Sequence, residues 1–172
     1  MPLDHSTSLL RVAIAAAATC AFALLPPATV PDANAATGTA GLDPVLATAY
    51  TQASRTARSE GVSLWITSGK RSSGEQEQLW RDAIRTHGSP AAARRWVLPP
   101  GQSTHVSGHA IDVGPHTGAM WLRRTGFRWG LCRTFANEWW HFEVATIPGQ
   151  PCPPMWPDAA ARVDRSISPL RR

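Results

Sequence analysis

At 172 residues, 43% of them hydrophobic and 17% charged, the chain has room for one folded domain of ordinary make-up and not for two. Its formal net charge is +5, yet no basic run exceeds a pair such as Arg94-Arg95 or Arg171-Arg172. The charge therefore reads as a general attraction to an anionic surface and excludes a nucleic-acid footprint, which needs clustered cations.

The first element is a leader. Val12 to Leu25 is apolar and uncharged, follows a short lead carrying Arg11, and stops at Pro26-Pro27. A membrane-spanning helix needs about 20 apolar residues, so the run reads as a signal peptide, with an uncleaved anchor as the alternative because the run lies at the lower edge of spanning length. Ala33-Asn34-Ala35-Ala36 offers an A-x-A cleavage site, so residues 1–35 are assigned to the signal and a secreted mature chain begins near Ala36. From Ala36 onward 16 Lys and Arg face 10 Asp and Glu, a net of +6. Such a chain, once exported, meets anionic cell-wall polymers first.

Cys20 has no lipobox-like leucine ahead of it and leaves with the signal. Cys132 and Cys152 remain, and an oxidising compartment makes a disulfide between them the default. That bond would close a loop of about 20 residues and stabilise the domain by about 3 kcal/mol on the chain-entropy model.

Asp43-Pro44 starts a helix, with Leu46, Ala49, Tyr50, Ala53 and Ala57 at helical spacing and Gly61 as its stop. Val62 to Thr67 has the composition of a buried strand, and Ser68-Gly69 is a turn, so Arg71 sits just past a strand end. Ser72 and Glu75 form a capping box for a second helix that Gly88 ends. Pro90 to Trp96 reads as a third, broken by Pro99-Pro100-Gly101. Ala110 to Val113 reads as a strand carrying Asp112, Ala119 to Arg124 as a helix, and Asn137 to Val144 as a further strand. Residues 153–172 hold four prolines and little periodicity, and are assigned to a tail; residues 36–152 form the domain.

Hydrolysis at a zinc ion requires three ligands of the His/Asp/Glu type, an open fourth position and a nearby base. His105 and Asp112, seven apart around a glycine, and His141 from a remote segment supply the ligands. Glu138, three residues before His141, supplies a carboxylate that need not occupy the metal. His5, His87, His109 and His116 are left as ordinary surface or core residues, since further ligands would overfill a zinc site that needs three. Trp139 and Trp140 read as core in preference to a sugar-stacking platform, and Glu143 as either a partner orienting a ligand imidazole or a plain surface carboxylate.

The segments Ser103-x-His105-x-x-Gly108-x-Ala110-x-Asp112 and Glu138-x-Trp140-His141 resemble, in order and spacing, the paired signatures of the VanY-type D-alanyl-D-alanine carboxypeptidases and the related VanX-type D,D-dipeptidases. Ser68-Gly69-Lys70-Arg71-Ser72 with Gln76 resembles a third element of that family, with Lys70 where a tyrosine is usual. The resemblance implies one zinc ion held by His105, Asp112 and His141, Glu138 as general base, Arg71 facing the substrate and stabilising the developing oxyanion, and Ser103 and Gln76 lining the substrate site. It implies an α+β fold of the D,D-peptidase and Hedgehog kind, helices packed on a small, mainly antiparallel sheet that carries the ligands. The implied reaction is hydrolysis of the terminal D-Ala-D-Ala amide of peptidoglycan stem peptides. The alternatives are an endopeptidase or D,D-dipeptidase with the same centre, and a non-catalytic zinc module that binds the wall.

Overall fold

The computed structural model of the chain describes residues 38–167; the leader, its cleavage site and Cys20 lie outside the described residues. Helix α1 (Pro44–Ser59) begins where the Asp43 carboxylate accepts from the backbone N–H groups of Val45 and Leu46, at 2.9 and 3.2 Å. This satisfies donors that the first turn cannot. Its buried stripe is Leu46, Ala49, Tyr50, Ala53 and Ala57, and the three alanines let the helix axis approach the sheet closely. No helix among the described residues is long and apolar enough to cross a membrane.

Strand β1 (Trp65–Ser68) is shorter than the predicted segment and is not buried: it lies at the sheet edge, and Trp65 is 51% exposed. Aromatic and β-branched residues fit a pleated surface whether or not that surface is covered, and composition alone does not separate the two cases. Helix α2 (Ser73–His87) carries the expected capping box, with Ser72 Oγ accepting from Glu75 N–H and Glu75 accepting from Ser72 N–H, and ends at Gly88. Helix α3 (Pro90–Ala93) stops before the predicted Trp96. Helix α4 (Thr104–Ser107), strand β2 (Ala110–Gly114), helix α5 (His116–Thr125), and strands β3 (Leu131–Arg133) and β4 (His141–Val144) follow.

The four strands form one sheet in the order β1-β2-β4-β3, antiparallel at every pairing. The architecture is α+β, helices on a small antiparallel sheet, as the sequence implied. Alternation along the two central strands gives the sheet two different faces. Ile111, Val113 and Phe142, all fully buried, point to the core with α1 and α5 residues such as Leu46 and Leu122. The opposite face takes Asp112, His141 and Glu143, and the β2–β4 register sets Asp112 directly across from His141.

Two further segments differ from their predicted form. Glu138 is irregular, Trp139-Trp140 is turn, and the strand starts only at His141. The segment after Cys152 is not featureless: Trp156 exchanges backbone hydrogen bonds with the Thr134–Ala136 stretch, and helix α6 (Ala159–Ile167) follows, with Ala159 buried against Leu98 and Phe135. Cys132 and Cys152 are disulfide-bonded, with Cα atoms 5.7 Å apart, which pins the root of this segment to β3.

Candidate metal centre and active site

Three segments deliver the central donors. Arg71 N–H donates to the His105 carbonyl at 3.2 Å, tying α4 to the turn after β1. Gly108 then turns the chain into β2 at φ +80°, and a Cβ there would stand 2.8 Å from the Gly41 carbonyl oxygen, so only glycine lets His105 and Asp112 converge. His141 comes from β4. The turn before it matters as much, because on a continuous strand Glu138 and His141, an odd number of residues apart, would face opposite ways. In the turn Glu138 bends back until its carboxylate is 3.8 Å from His141 Nδ1.

His105 Nε2, His141 Nδ1 and Asp112 Oδ1 stand 3.3 Å from one another in all three pairs. The other nitrogen of each ring settles what these atoms are. His105 Nδ1 lies 2.9 Å from the Gly69 carbonyl and His141 Nε2 2.9 Å from Glu143 Oε1. Both partners only accept, so both those nitrogens carry the hydrogen and the two that face inward present lone pairs. With both inward nitrogens unprotonated, Asp112 Oδ1, buried between them, has no donor to accept from. Three acceptors in mutual contact repel unless a positive charge sits among them.

A proton is one such charge. Burial disfavours the His141 imidazolium, but hydrogen bonds and charge from Asp112 and Glu143 prevail and push its pKa up to about 9. Asp112 is held well below the usual carboxylate range: burial works against its ionisation, and the two imidazoles outweigh it. A metal ion is the other. Four ligands arranged tetrahedrally at about 2.0–2.1 Å from zinc have edges of roughly 3.3–3.4 Å, which the triangle matches. The buried set His105, Asp112 and His141 fits a metal by donor type, geometry and unmet acceptor demand.

The remaining predicted residues are placed as follows. Arg71 donates to Asp112 Oδ2 at 2.7 Å, to Ser68 Oγ at 2.9 Å and to Gln76 Oε1 at 3.2 Å. It thus grips the Asp112 oxygen that points away from the triangle. Gln76 is fully buried with its amide nitrogen on the Leu98 carbonyl at 2.8 Å, so both its polar ends are occupied holding Arg71 and the neighbouring wall. Ser103 lines the cleft, as does Trp140, while Trp139 packs on the core. Glu138 is buried, which pushes its pKa up to about 7, the nearby Asp112 charge adding to the effect and His141 opposing it. Outside the site, His109 is exposed near Asp43 and His87 stacks on Trp96.

These groups converge on a cleft of about 210 Å³. A larger cavity of about 720 Å³ beside Trp65 brings together no metal-ligating cluster among the described residues. The sequence model of a known family, VanY, D-alanyl-D-alanine carboxypeptidase, matches residues 39–143, a stretch that contains every residue of the triangle.

The chain belongs to the VanY family.

Its relatives agree. A D-alanyl-D-alanine carboxypeptidase of Enterococcus faecalis is 27% identical over 116 residues, 53% of this chain and 43% of that protein, so this chain spans less than half the length of its curated relative. The vancomycin-resistance D,D-pentapeptidase VanY of the VanB-type cassette, in complex with Zn(II), superposes with a TM-score of 0.55 at 24% identity, covering 59% of this chain and 71% of that one. VanYB in complex with D-alanine-D-alanine gives 0.55 and 24%, covering 59% and 70%. These likenesses establish the shared fold.

Sequence reasoning missed three contributors in this VanY-family site. Thr104 Oγ1 donates to Glu143 Oε1 at 2.9 Å, Ser68 supports Arg71, and Arg162 of α6 holds both oxygens of Glu143 at 2.8 and 2.9 Å. Asp158 before three alanines is a helix-start signal that would have found α6. Nothing local indicates which face of the sheet α6 covers.

Proposed function

We propose that this chain is a secreted, wall-associated zinc peptidase that removes the terminal D-alanine from D-Ala-D-Ala stem peptides of peptidoglycan. The observation that carries the reading is the acceptor triangle of His105, Asp112 and His141 with the Glu138 carboxylate beside it. Family membership and the D-alanine-D-alanine complex of VanYB support the substrate, and the Zn(II) complex of VanY supports the metal. The basic chain suits an anionic wall.

Zinc held by the triangle supplies Lewis acidity at the scissile carbonyl and water activated near neutral pH. Glu138 accepts a proton from the attacking water on its carboxylate and returns it to the leaving amine. Its place beside the triangle, 3.8 Å from His141 Nδ1, keeps the carboxylate within reach of both the attacking water and the leaving amine. Arg71 keeps Asp112 in place, and its remaining N–H groups and its charge stabilise the developing oxyanion. Ser103 borders the same cleft and contacts the peptide. Gln76 acts on substrate only through Arg71 and the cleft wall.

The test is mass analysis of products from a defined pentapeptide stem, with and without a chelator. Loss of one D-alanine that the chelator abolishes is expected. Cleavage only at other bonds would transfer the assignment to an endopeptidase or dipeptidase, and undiminished activity in chelator would remove zinc from the mechanism.

A further inference from the structure

Glu143 is the last residue of the family match, and the cation that holds it comes from beyond that match. The segment reaches the site through a series of fixed points. The Cys132–Cys152 disulfide roots it opposite Glu143, since Cys132 pairs with Glu143 in the β3–β4 ladder. Trp156 N–H donates to the Thr134 carbonyl and the Trp156 carbonyl accepts from Ala136 N–H, both within 2.9 Å. Asp158 then accepts from Ala161 N–H at the start of α6 through one oxygen and from Arg95 Nε through the other, each at 2.9 Å. One turn on, Arg162 stands with its guanidinium 4.8 Å over the Phe135 ring, which itself packs 4.9 Å from the His141 ring.

We infer that Arg162 is a positioning residue for the metal centre, acting through Glu143 on His141. The inference rests on the zinc reading above. Arg162 Nη1 touches both oxygens of Glu143, whose Oε1 also takes Thr104 Oγ1 and His141 Nε2. With His141 alone as partner, that carboxylate could rotate and let the imidazole turn with it. Held by three donors from α6, α4 and β4, its plane is fixed, and so is the direction in which His141 Nδ1 presents its lone pair. Arg162 also supplies the counter-charge that a mostly buried carboxylate requires. Partners of this kind, one step behind the ligands, commonly set metal affinity by about 10–100-fold.

The experiment titrates the metal-free full chain with zinc against a competing chelator at fixed pH, comparing wild type with Arg162→Met and Arg162→Lys. Arg162→Met is expected to bind zinc about 10–100-fold more weakly. Arg162→Lys should recover part of the loss, because an ammonium can still hold Glu143 but lacks the guanidinium plane that lies over Phe135. Affinity compares loaded with empty folded protein, so a helix that served only to stabilise the domain would lower Tm without moving this constant. Wild-type affinity in a folded Arg162→Met overturns the inference. Should that variant not fold, Arg162→Lys decides, with wild-type affinity again overturning it. A wild-type chain that takes up no zinc overturns the metal centre and this inference together, whereas tight wild-type binding with an unchanged variant overturns this inference alone.

Discussion

Glu138→Gln separates chemistry from stability in opposite directions. Glu138 is 6% exposed and lies beside the triangle without forming one of its corners. An amide of the same size therefore leaves the metal ligands undisturbed but cannot accept a proton. General-base removal typically lowers rate by about 10²–10⁴-fold, or roughly 3–5 kcal/mol of transition-state stabilisation. Stability moves the other way. Burial raises the Glu138 pKa from 4.5 in a model peptide to about 7 in the folded chain. A carboxyl whose folded pKa is raised favours the folded state only while protonated, so its contribution is intact below about pH 4.5 and declines as pH rises to 7. The shift corresponds to about 3 kcal/mol. In metal-free protein Glu138→Gln is expected to match wild type near pH 4 and to exceed it by up to that amount at pH 8. Urea unfolding of both proteins in chelator across that range measures the difference, and turnover of a D-Ala-D-Ala peptide with zinc restored measures the rate. Two results would refute the reasoning: a variant that keeps a tenth or more of wild-type kcat, or a stability gain that is greatest at low pH.

Two further outcomes follow from the frame of the site. Replacing Cys132 and Cys152 together by alanine frees a loop closed across a separation of 20 residues, and should lower stability by about 3 kcal/mol and Tm by roughly 10 °C, read by calorimetry; an unchanged Tm would mean the segment after Cys152 is held by its other contacts alone. Gly108→Ala meets both a left-handed backbone and the Gly41 carbonyl, so it should destabilise the fold by more than about 1 kcal/mol and weaken zinc uptake by displacing His105; thermal melting and chelator competition check the two effects, and a variant as stable as wild type refutes the steric argument.

What could be seen in the chain beforehand was local. The Asp43 cap, the Ser72–Glu75 box and the stop at Gly88 are signals written in adjacent residues, and each produced the helix end it implies. The two motif segments were visible because their spacings are fixed within a few residues. Trp139 and Trp140 drew the last strand too far toward Asn137, since aromatic residues in a turn and in a strand look alike by composition. Arg71 and Gln76 carried no sign of their real neighbours: Asp112 lies 41 positions from Arg71, and Leu98 lies 22 from Gln76. The pairing of Arg162 with Glu143 depends on a segment returning after the disulfide, which no short window contains.

The same alternation that builds the core also sets the charge of the site. Odd positions of β2 are apolar and pack on α1, so its even positions must project Asp112 to the other face, where β4 adds His141 and Glu143. With Glu138 that face gathers three carboxylates in a small volume, a burden that water cannot relieve where the groups are buried. Two guanidinium groups answer it. Arg71 binds the outer oxygen of Asp112 and Arg162 binds both oxygens of Glu143, which leaves one negative charge in excess when Glu138 is ionised. A divalent ion placed in the triangle would then see a site that attracts it yet does not quench it, retaining one net positive charge to act on a carbonyl. Removing either arginine deepens the negative excess while loosening the carboxylate it held. The two losses oppose each other in their effect on metal affinity, and the orienting one prevails, because an imidazole that turns away removes a ligand bond outright whereas the added field acts on the ion from one group further off.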